Sequence, residues 1–315
     1  MVELGLVMPM AGAGSRFAAN GEMRPKPLIE IGGRPLFAWA ADSVLRTLAV
    51  REIVFVVLQA HVREHAIDEA IHRRYPHARI VAIAEPTSGA AETAAIGVDA
   101  LASDGPVAIN DCDHAFLAPR LGELVQAVDG GDAGALVGFA SDNPAYSFVR
   151  LDRHDTTLVT GTVEKERAGP FAIAGCYLFR DRRTFSDALA QYRRECPYPE
   201  LFLSGLYNVL CGQGATVRFQ PLEAHGQVEG PRACAGGEQG GLAHRPEDVA
   251  QHQHGQGGGE QPGHPAAARC RNAAGVTRAS SSGVPNDRWA SSGWNLTVAP
   301  WPHRTLYRPL RNSSG

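Results

Sequence analysis

The sequence predicts an α/β protein of three layers, in which helices cover both faces of a mixed β-sheet. Up to about residue 130, short apolar runs alternate with stretches of helical period that are 10 to 15 residues long. These apolar runs carry hydrophobic residues on both faces, as is typical of parallel strands buried in the middle of a sheet. After Ala135 the strand-like runs follow one another closely, which favours a mixed or antiparallel extension of the sheet.

Four strand and helix pairs are predicted in the first part of the chain. Residues 2–10 (VELGLVMPM) form the first strand, and Pro35 begins an amphipathic helix over 35–49. Further strands are predicted at 52–58, 78–84 and 106–110, and further helices at about 62–75, 88–102 and 117–128. Parallel sheets bind ligands beyond the carboxyl ends of their strands, so we expect functional residues directly after these strands.

The second part of the chain adds five predicted strands and two helices. The strands are predicted at 135–140, 147–152, 157–163, 172–179 and 215–220, and the helices near 183–194 and 200–211. Residues 1–225 therefore form the predicted folded domain, which is long enough to enclose one large core.

The composition changes abruptly at Gly230. Residues 230–315 contain no Ile, Phe, Met or Lys, but hold three of the four tryptophans and many Gly, Ser, His and Gln residues. Such a segment buries too little apolar surface to offset the entropy lost on ordering. We expect residues 226–315 to be a low-complexity, disordered tail, and a shifted reading frame after about His225 would explain the change in composition.

Charge and composition exclude several classes of protein. The net charge of −3 argues against a nucleic-acid partner, because such proteins need clustered cations. No apolar run approaches the ~20 residues of a membrane span, and no basic segment precedes an apolar one at the start. The six cysteines include no C-x-x-C pair, which argues against a zinc knuckle. We expect a cytoplasmic protein without a membrane partner.

Two segments near the start of the chain carry the first chemical signals. Gly12 and Gly14 directly follow the first strand, where glycines let backbone amides approach an anion. Phe17 is too large for a dinucleotide-binding motif, and a Walker A loop would need Gly-Lys-Ser/Thr; a simple glycine-rich turn stays open. Pro25 and Pro27 flank Lys26 and are expected to hold it in extended backbone.

The lysine content singles out two positions. Of the 30 basic residues only Lys26 and Lys165 are lysines, and all the others are arginines. A chain that uses arginine wherever it serves is expected to keep lysine where a compact ammonium is needed. The two lysines are therefore candidate functional residues.

The two segments, together with a third at residues 32–36 (GGRPL), resemble the signature of a known family. G-x-G-[ST]-R-[FL], then P-K-P, then G-G-[RK]-P-[LM] resembles the amino-terminal signature of the sugar-phosphate nucleotidylyltransferases, which include glucose-1-phosphate thymidylyltransferases and mannose-1-phosphate guanylyltransferases. The resemblance covers roughly residues 3–224 and implies a Rossmann-like, three-layer nucleotide-diphospho-sugar transferase fold. Past this point the family's W-x-x-x-G-T-P-E-D-like segment is missing.

On the nucleotide side, the resemblance implies a binding set made largely of the glycine-rich loop. Arg16 and Lys26 are the implied catalytic residues. Asp113 matches the family's magnesium-binding aspartate best, with Asp111 as its competitor. Glu85 stands where thymidylyltransferases have a glutamine, so the base stays open. The implied nucleotide-binding residues are Ala11, Gly12, Ala13, Gly14, Ser15, Arg16, Lys26, Glu85, Gly89 and Asp111.

On the sugar-phosphate side, the resemblance implies five residues. Glu164 and Lys165 match the family's E-K pair, in which the glutamate meets sugar hydroxyls and the lysine meets the sugar phosphate. Tyr146, Gly175 and Tyr177 match segments that line the same pocket. Both lysines of the chain thus fall on the family's phosphate-binding lysine positions, whereas a solvated charge run is the simpler interpretation of residues 164–167.

The implied activity is transfer of a nucleotidyl group from a nucleoside triphosphate to a sugar 1-phosphate, with Mg²⁺ as cofactor. Two alternatives stay open: a catalytically impaired nucleotide-binding or regulatory homologue, and a cytidylyltransferase acting on a phosphorylated alcohol such as phosphocholine. A homo-oligomer is compatible with the sequence.

Overall fold

The computed structural model describes residues 2–12, 24–229 and 295–298. All of them belong to one compact unit, formed by residues 1–231 and 293–315. Residues 232–292 lie outside the described residues.

Nine strands of the described part form one mixed sheet. Its main path runs in the order β10 (Val159–Glu164), β9 (Ser147–Leu151), β11 (Phe171–Phe179), β6 (Val107–Asn110), β1 (Glu3–Met10), β4 (Ala49–Leu58) and β5 (Arg79–Ile83). Strand β8 (Gly134–Ala140) pairs with β11 and with β12 (Val217–Pro221). The strands β6, β1, β4 and β5 are parallel, while β11 runs antiparallel to β6. The predicted mixed sheet is therefore confirmed.

Short strands lie outside the main sheet. Strands β2 (Glu30–Ile31) and β3 (Arg34–Pro35) pair as a small hairpin, and β7 (His114–Leu117) pairs with β13 (Ala224–Glu229). Strand β13 also pairs with β14 (Asn295–Val298), so these two short stretches of the predicted tail are strands. The rest of the predicted tail, 230–294 and 299–315, lies outside the described residues.

Seven α-helices of the described part complete the layers. They are α1 (Leu36–Leu45), α2 (Gln59–His65), α3 (Ile67–His72), α4 (Ala90–Asp99), α5 (Leu121–Asp129), α6 (Arg182–Glu195) and α7 (Gly205–Gly212). None of the helices in the described ranges is long and apolar enough to span a membrane.

The core is divided between the two faces of the sheet. Leu6 and Met8 of β1 pack in a cluster with residues of α1, α3 and α5, whereas Val7 packs in a second cluster with α4, α6 and α7. Successive strand residues point to opposite faces, so a strand buried on both sides is apolar at every position. The predicted three layers follow from this pattern.

Two predicted helices differ from the structure. The helix predicted over 62–75 is broken at Ala66, whose φ of 48° lies in the left-handed region. Helix α2 buries no residue, whereas α3 buries Ile67 and Ile71, so the break turns the apolar side of α3 onto the sheet. The helix predicted over 117–128 begins only at Leu121, because residues 114–117 form β7.

Candidate active site

The site lies where the parallel strands β1 and β6 end. Strand β1 is followed by buried Ala11 and exposed Gly12, and an added Cβ at Gly12 would meet nothing within 4 Å. The predicted loop residues Ala13, Gly14, Ser15 and Arg16 lie outside the described residues. Strand β6 ends at Asn110 and leads directly into Asp111 and Asp113.

Lys26 begins a single 3₁₀ turn, Lys26–Leu28, that faces this edge. The predicted extended backbone at Lys26 is wrong, because Pro27 occupies the first turn of a helix, where its missing N–H has no partner to lose. The turn is closed by the Leu28 N–H, which donates to the Pro25 carbonyl at 2.8 Å. Pro27 is buried and anchors the turn.

Lys26 and Asp113 form an ion pair across 87 positions of sequence. The ammonium Nζ donates to Asp113 Oδ2 at 2.5 Å. The Lys26 side chain is 27% exposed and that of Asp113 only 9%. Burial acts to lower the pKa of Lys26, but the negative charge of Asp113, with smaller contributions from Cys112 and Asp111, raises it above its ordinary value. Lys26 is therefore held as a cation.

Asp111 lies in a site that disfavours its charge. Burial and the nearby carboxylate of Asp113 raise the pKa of Asp111 to about 8, against the opposing influence of Lys26. Glu164 raises it further, so its charge also reaches this edge of the sheet. Lys26, Asp111 and Asp113 are called the strand-edge cluster below.

The donor atoms of this cluster fit Mg²⁺. Asp111 and Asp113 offer carboxylate oxygens, the hard ligands that Mg²⁺ prefers, and a divalent cation would relieve the repulsion between them. Among the described residues, no group of three or more His, Cys, Asp or Glu side chains is arranged to hold a metal ion. Mg²⁺ commonly uses one or two carboxylates with waters and substrate phosphates, so two aspartates suffice for a site that a phosphate completes.

The antiparallel strand β11 closes the site on its other side. Gly175 has a φ of +67°, and an added Cβ there would lie 2.7 Å from His114 Cδ2 and 3.0 Å from Asp111 Cβ. The Gly175 carbonyl accepts a hydrogen bond from the Asp111 N–H at 2.8 Å. Tyr177 is 5% exposed, and burial together with the charges of Asp111 and Glu164 raises its pKa. Only glycine fits at position 175 beside the aspartate.

A second group of candidate residues lies at the hairpin of β9 and β10. Glu164 ends β10, and its Oε1 accepts hydrogen bonds from the hydroxyls of Ser147, at 2.5 Å, and Ser204. Lys165 follows with a φ of 54°, and its N–H donates to the Tyr146 carbonyl at 3.1 Å. Tyr146, Glu164 and Lys165 are called the hairpin cluster below.

Residues from beyond α6 complete the hairpin cluster. The Lys165 ammonium lies 4.8 Å from the centroid of the Phe202 ring, within the range of a cation–π interaction. Sequence reasoning missed Phe202 and Ser204. No local pattern marks either residue, because their partners lie about 40 positions away in sequence.

The predicted nucleotide-binding loop after β5 contacts the same segment. Glu85 is exposed. The Leu201 N–H donates to the Ser88 carbonyl at 3.2 Å, and the Ala91 N–H donates to the Leu201 carbonyl at 2.9 Å. An added Cβ at Gly89 would come within 2.6 Å of the Leu201 backbone, so this glycine is required for the contact.

The strand topology and the charged carboxyl edge define an α/β protein with a candidate ligand site beyond its parallel strands. Residues 7–277 match the family described as the MobA-like NTP transferase domain, and the chain belongs to that family. The match continues past His225, where the motif resemblance ends. No curated protein matches the chain significantly.

Solved structures share the fold at low sequence identity. A nucleoside-diphosphate-sugar pyrophosphorylase from Vibrio cholerae RC9 is 24% identical, with a TM-score of 0.59 over 69% of this chain and 91% of that one. An inositol-1-phosphate CTP transferase from T. maritima is 15% identical, with a TM-score of 0.53 over 70% and 85%. A protein described as a glucose-1-phosphate thymidylyltransferase from Bacillus anthracis is 16% identical, with a TM-score of 0.54 over 70% and 87%.

Proposed function

We propose that this chain transfers a nucleotidyl group from a nucleoside triphosphate to a sugar 1-phosphate, forming an NDP-sugar and pyrophosphate. The observation that carries the proposal is the placement of a lysine and two carboxylates at the end of β6, within electrostatic range of Glu164. A triphosphate needs cations and a metal site, and an acceptor phosphate needs a further cation nearby. Lys165 follows Glu164 directly and supplies that cation.

In the proposed reaction, an oxygen of the sugar phosphate attacks the α-phosphorus in line. A new P–O bond forms, the bond to the bridging oxygen breaks, and pyrophosphate leaves with that electron pair. The attacking phosphate monoester needs no general base, because its second pKa of about 6 leaves it mostly a dianion at neutral pH. Positioning and charge neutralisation therefore supply most of the catalysis.

In the proposed bound state, Lys26 and Asp113 would exchange each other for new partners of opposite charge. A triphosphate brings negative charge to the ammonium of Lys26, which would neutralise the α-phosphate. Asp113, with Asp111 beside it, would then hold Mg²⁺. When bound, Mg²⁺ supplies neutralisation and orientation of the phosphates. Without substrate, Lys26 and Asp113 neutralise each other. In the proposed bound state the triphosphate would neutralise Lys26, and Mg²⁺ would neutralise Asp113.

The loop after β1 and the loop after β5 would complete the nucleotide site. The amides of residues 12–15 with Arg16 would hold the phosphates, and Glu85 and Gly89 would face the base. Tyr146, Glu164, Lys165, Gly175 and Tyr177 would line the acceptor pocket, with Lys165 on the acceptor phosphate. A phosphorylated alcohol is the second candidate acceptor, since one structural neighbour is described as acting on inositol 1-phosphate.

The test is a screen for pyrophosphate release. dTTP, UTP, CTP and GTP would each be combined with glucose 1-phosphate, mannose 1-phosphate, inositol 1-phosphate and phosphocholine, with Mg²⁺ or with a chelator. Release that needs a triphosphate, a sugar 1-phosphate and Mg²⁺ together supports the proposal. Release only with inositol 1-phosphate or phosphocholine favours an alcohol phosphate acceptor. Nucleotide binding without release from any pair would identify a binding protein instead.

A further inference from the structure

We infer that Phe202 is a positioning residue for Lys165, and that it is held in place by the loop after β5. The inference rests on the proposed function for the identity of the acceptor phosphate that Lys165 would meet. The contacts themselves are independent of that function.

The first step concerns the ammonium of Lys165. Lys165 is exposed at the end of β10, and a lysine side chain has several rotatable bonds, so a defined position for its ammonium needs a partner. The Phe202 ring supplies one, with its centroid 4.8 Å from Nζ. The left-handed backbone at Lys165 and its N–H bond to Tyr146 fix where the side chain starts. The two contacts together define the position of the charge.

The second step concerns what holds Phe202. Its neighbour Leu201 is bonded through both backbone groups to the loop of Ser88 and Ala91, and Gly89 packs directly on the same backbone. The Phe202 ring also lies 5.7 Å from the Tyr198 ring in an edge-on arrangement. Phe202 is therefore held from its backbone and from its ring.

The third step concerns Glu164, the other charge at the end of β10. Ser204 lies two positions after Phe202 and its hydroxyl donates to Glu164. Ser204 is fully buried, and its carbonyl accepts from the Thr162 hydroxyl at 2.8 Å. Residues 201–204 thus contact the loop after β5 at one end and both charged residues of the hairpin cluster at the other.

The consequence is a physical connection between the two halves of the proposed site. A change in the loop after β5, where the nucleotide base is proposed to bind, would shift Leu201 and with it the ring that positions Lys165. Phe202 itself contacts Lys165 and would act on the acceptor only through that lysine.

The chain offers a direct test because it has only two lysines. The rate at which acetic anhydride labels each lysine, read by mass spectrometry of the full-length protein, reports how accessible and how protonated each ammonium is. In Phe202→Leu, loss of the ring should speed labelling of Lys165 by about two- to fivefold, as expected for an exposed cation–π contact. Lys26, which is paired with Asp113, is the internal control and should be labelled at the wild-type rate.

Two further variants keep the test specific. Phe202→Trp retains an aromatic face and should restore slow labelling of Lys165, which a general loosening of the segment would not predict. In the pyrophosphate assay, Phe202→Leu should raise the KM for the acceptor and leave the KM for the triphosphate unchanged. It should have no further effect in a Lys165→Met background.

The outcomes separate this inference from the proposed function. Unchanged labelling of Lys165 in Phe202→Leu, or equal labelling in the Leu and Trp variants, would overturn the positioning role whatever the enzyme does. The expected labelling in a chain that releases no pyrophosphate would uphold the positioning role and reject the proposed function.

Discussion

The strand-edge cluster and the hairpin cluster hold their charges in different ways. In the strand-edge cluster, Lys26 is paired with a carboxylate that is 9% exposed, and both of these charges shift the pKa of the half-buried Asp111. In the hairpin cluster, Lys165 is exposed and Glu164 is half-buried, and the partners of these charges are hydroxyls and an aromatic ring. In the strand-edge cluster an opposite charge compensates the lysine, whereas in the hairpin cluster neutral groups stabilise the charges.

This difference predicts which substitutions change catalysis or ligand binding without changing the stability of the fold. Removing one member of a buried ion pair leaves the other in a poorly solvated position, so stability and catalysis change together. An exposed charge keeps its hydration, so its removal affects ligand binding with little effect on folding. The strand-edge cluster should therefore show coupled effects and the hairpin cluster separable ones.

The largest expected effect is that of Lys26→Ala. Turnover should fall by ~10²–10³, because the substitution removes the cation that is proposed to neutralise charge developing on the α-phosphate. The free energy of unfolding should also fall by about 1–3 kcal/mol, because Asp113 loses its partner. Pyrophosphate release and thermal unfolding measure the two effects.

Lys26→Arg serves as the matched variant. It keeps the charge but not the compact ammonium, so stability should recover while turnover stays low. Activity within threefold of wild type for Lys26→Ala would refute the catalytic role.

The two aspartates should differ in their effect on magnesium dependence. Asp113→Asn should raise the Mg²⁺ concentration needed for half-maximal activity by about tenfold, and Asp111→Asn should raise it less, because Asp113 is the proposed metal ligand. Asp111→Asn should also raise the unfolding temperature without metal, since it removes a carboxylate whose charge is disfavoured by desolvation and by Asp113. The reverse order in a Mg²⁺ titration would reassign the metal ligand to Asp111.

In the hairpin cluster, Glu164→Gln should change substrate binding more than stability. We expect about a tenfold rise in the KM for the acceptor with an unchanged KM for the triphosphate, because the amide keeps the shape but loses the charge that the hydroxyls support. Steady-state kinetics with each substrate varied in turn measure the split. The exposed Glu166, two positions away, gives the matched control Glu166→Gln. Equal effects of the two substitutions would indicate that residues 164–167 are only a solvated run of charged residues, with no specific role for Glu164.

The smallest effect on activity is expected at Glu52, a carboxylate outside both clusters. Its oxygens accept hydrogen bonds from the Ala102 N–H and from the N–H and hydroxyl of Ser103. These bonds outweigh the effect of burial and lower the pKa of Glu52 below its ordinary value of 4.5. Its stabilisation is thus complete above pH 4.5 and is lost as the pH falls through the lowered pKa.

The substitution Glu52→Gln tests the direction in which the stabilisation by Glu52 changes with pH. It should lower the free energy of unfolding by about 1 kcal/mol at pH 7, and by progressively less as the pH falls below 4.5, with turnover unchanged. Denaturant unfolding across this pH range measures it. A difference that grows on acidification would contradict the assignment.

The sequence by itself determined the layers and the edge of the sheet that carries the site. The runs of β1, β4 and β6 are apolar on both faces, which a strand needs only when helices cover both sides. The position of Asp111 and Asp113 directly after β6 follows from the same pattern, because strand ends are local features of the chain. The lysines at 26 and 165 were likewise marked by residue type alone, whereas Gly175 was marked by its match to a family segment.

Tertiary structure decided which of these residues meet. Lys26 reaches Asp113 across 87 positions because β1 and β6 are neighbours in the sheet, and Ser204 reaches Glu164 across 40 because α7 packs against β10. The break at Ala66 and the 3₁₀ turn at Lys26 were decided in the same way, by the packing of α3 and by buried Pro27. Periodicity and residue type act over a few positions, whereas the partner of a side chain depends on strand order, which no local pattern encodes.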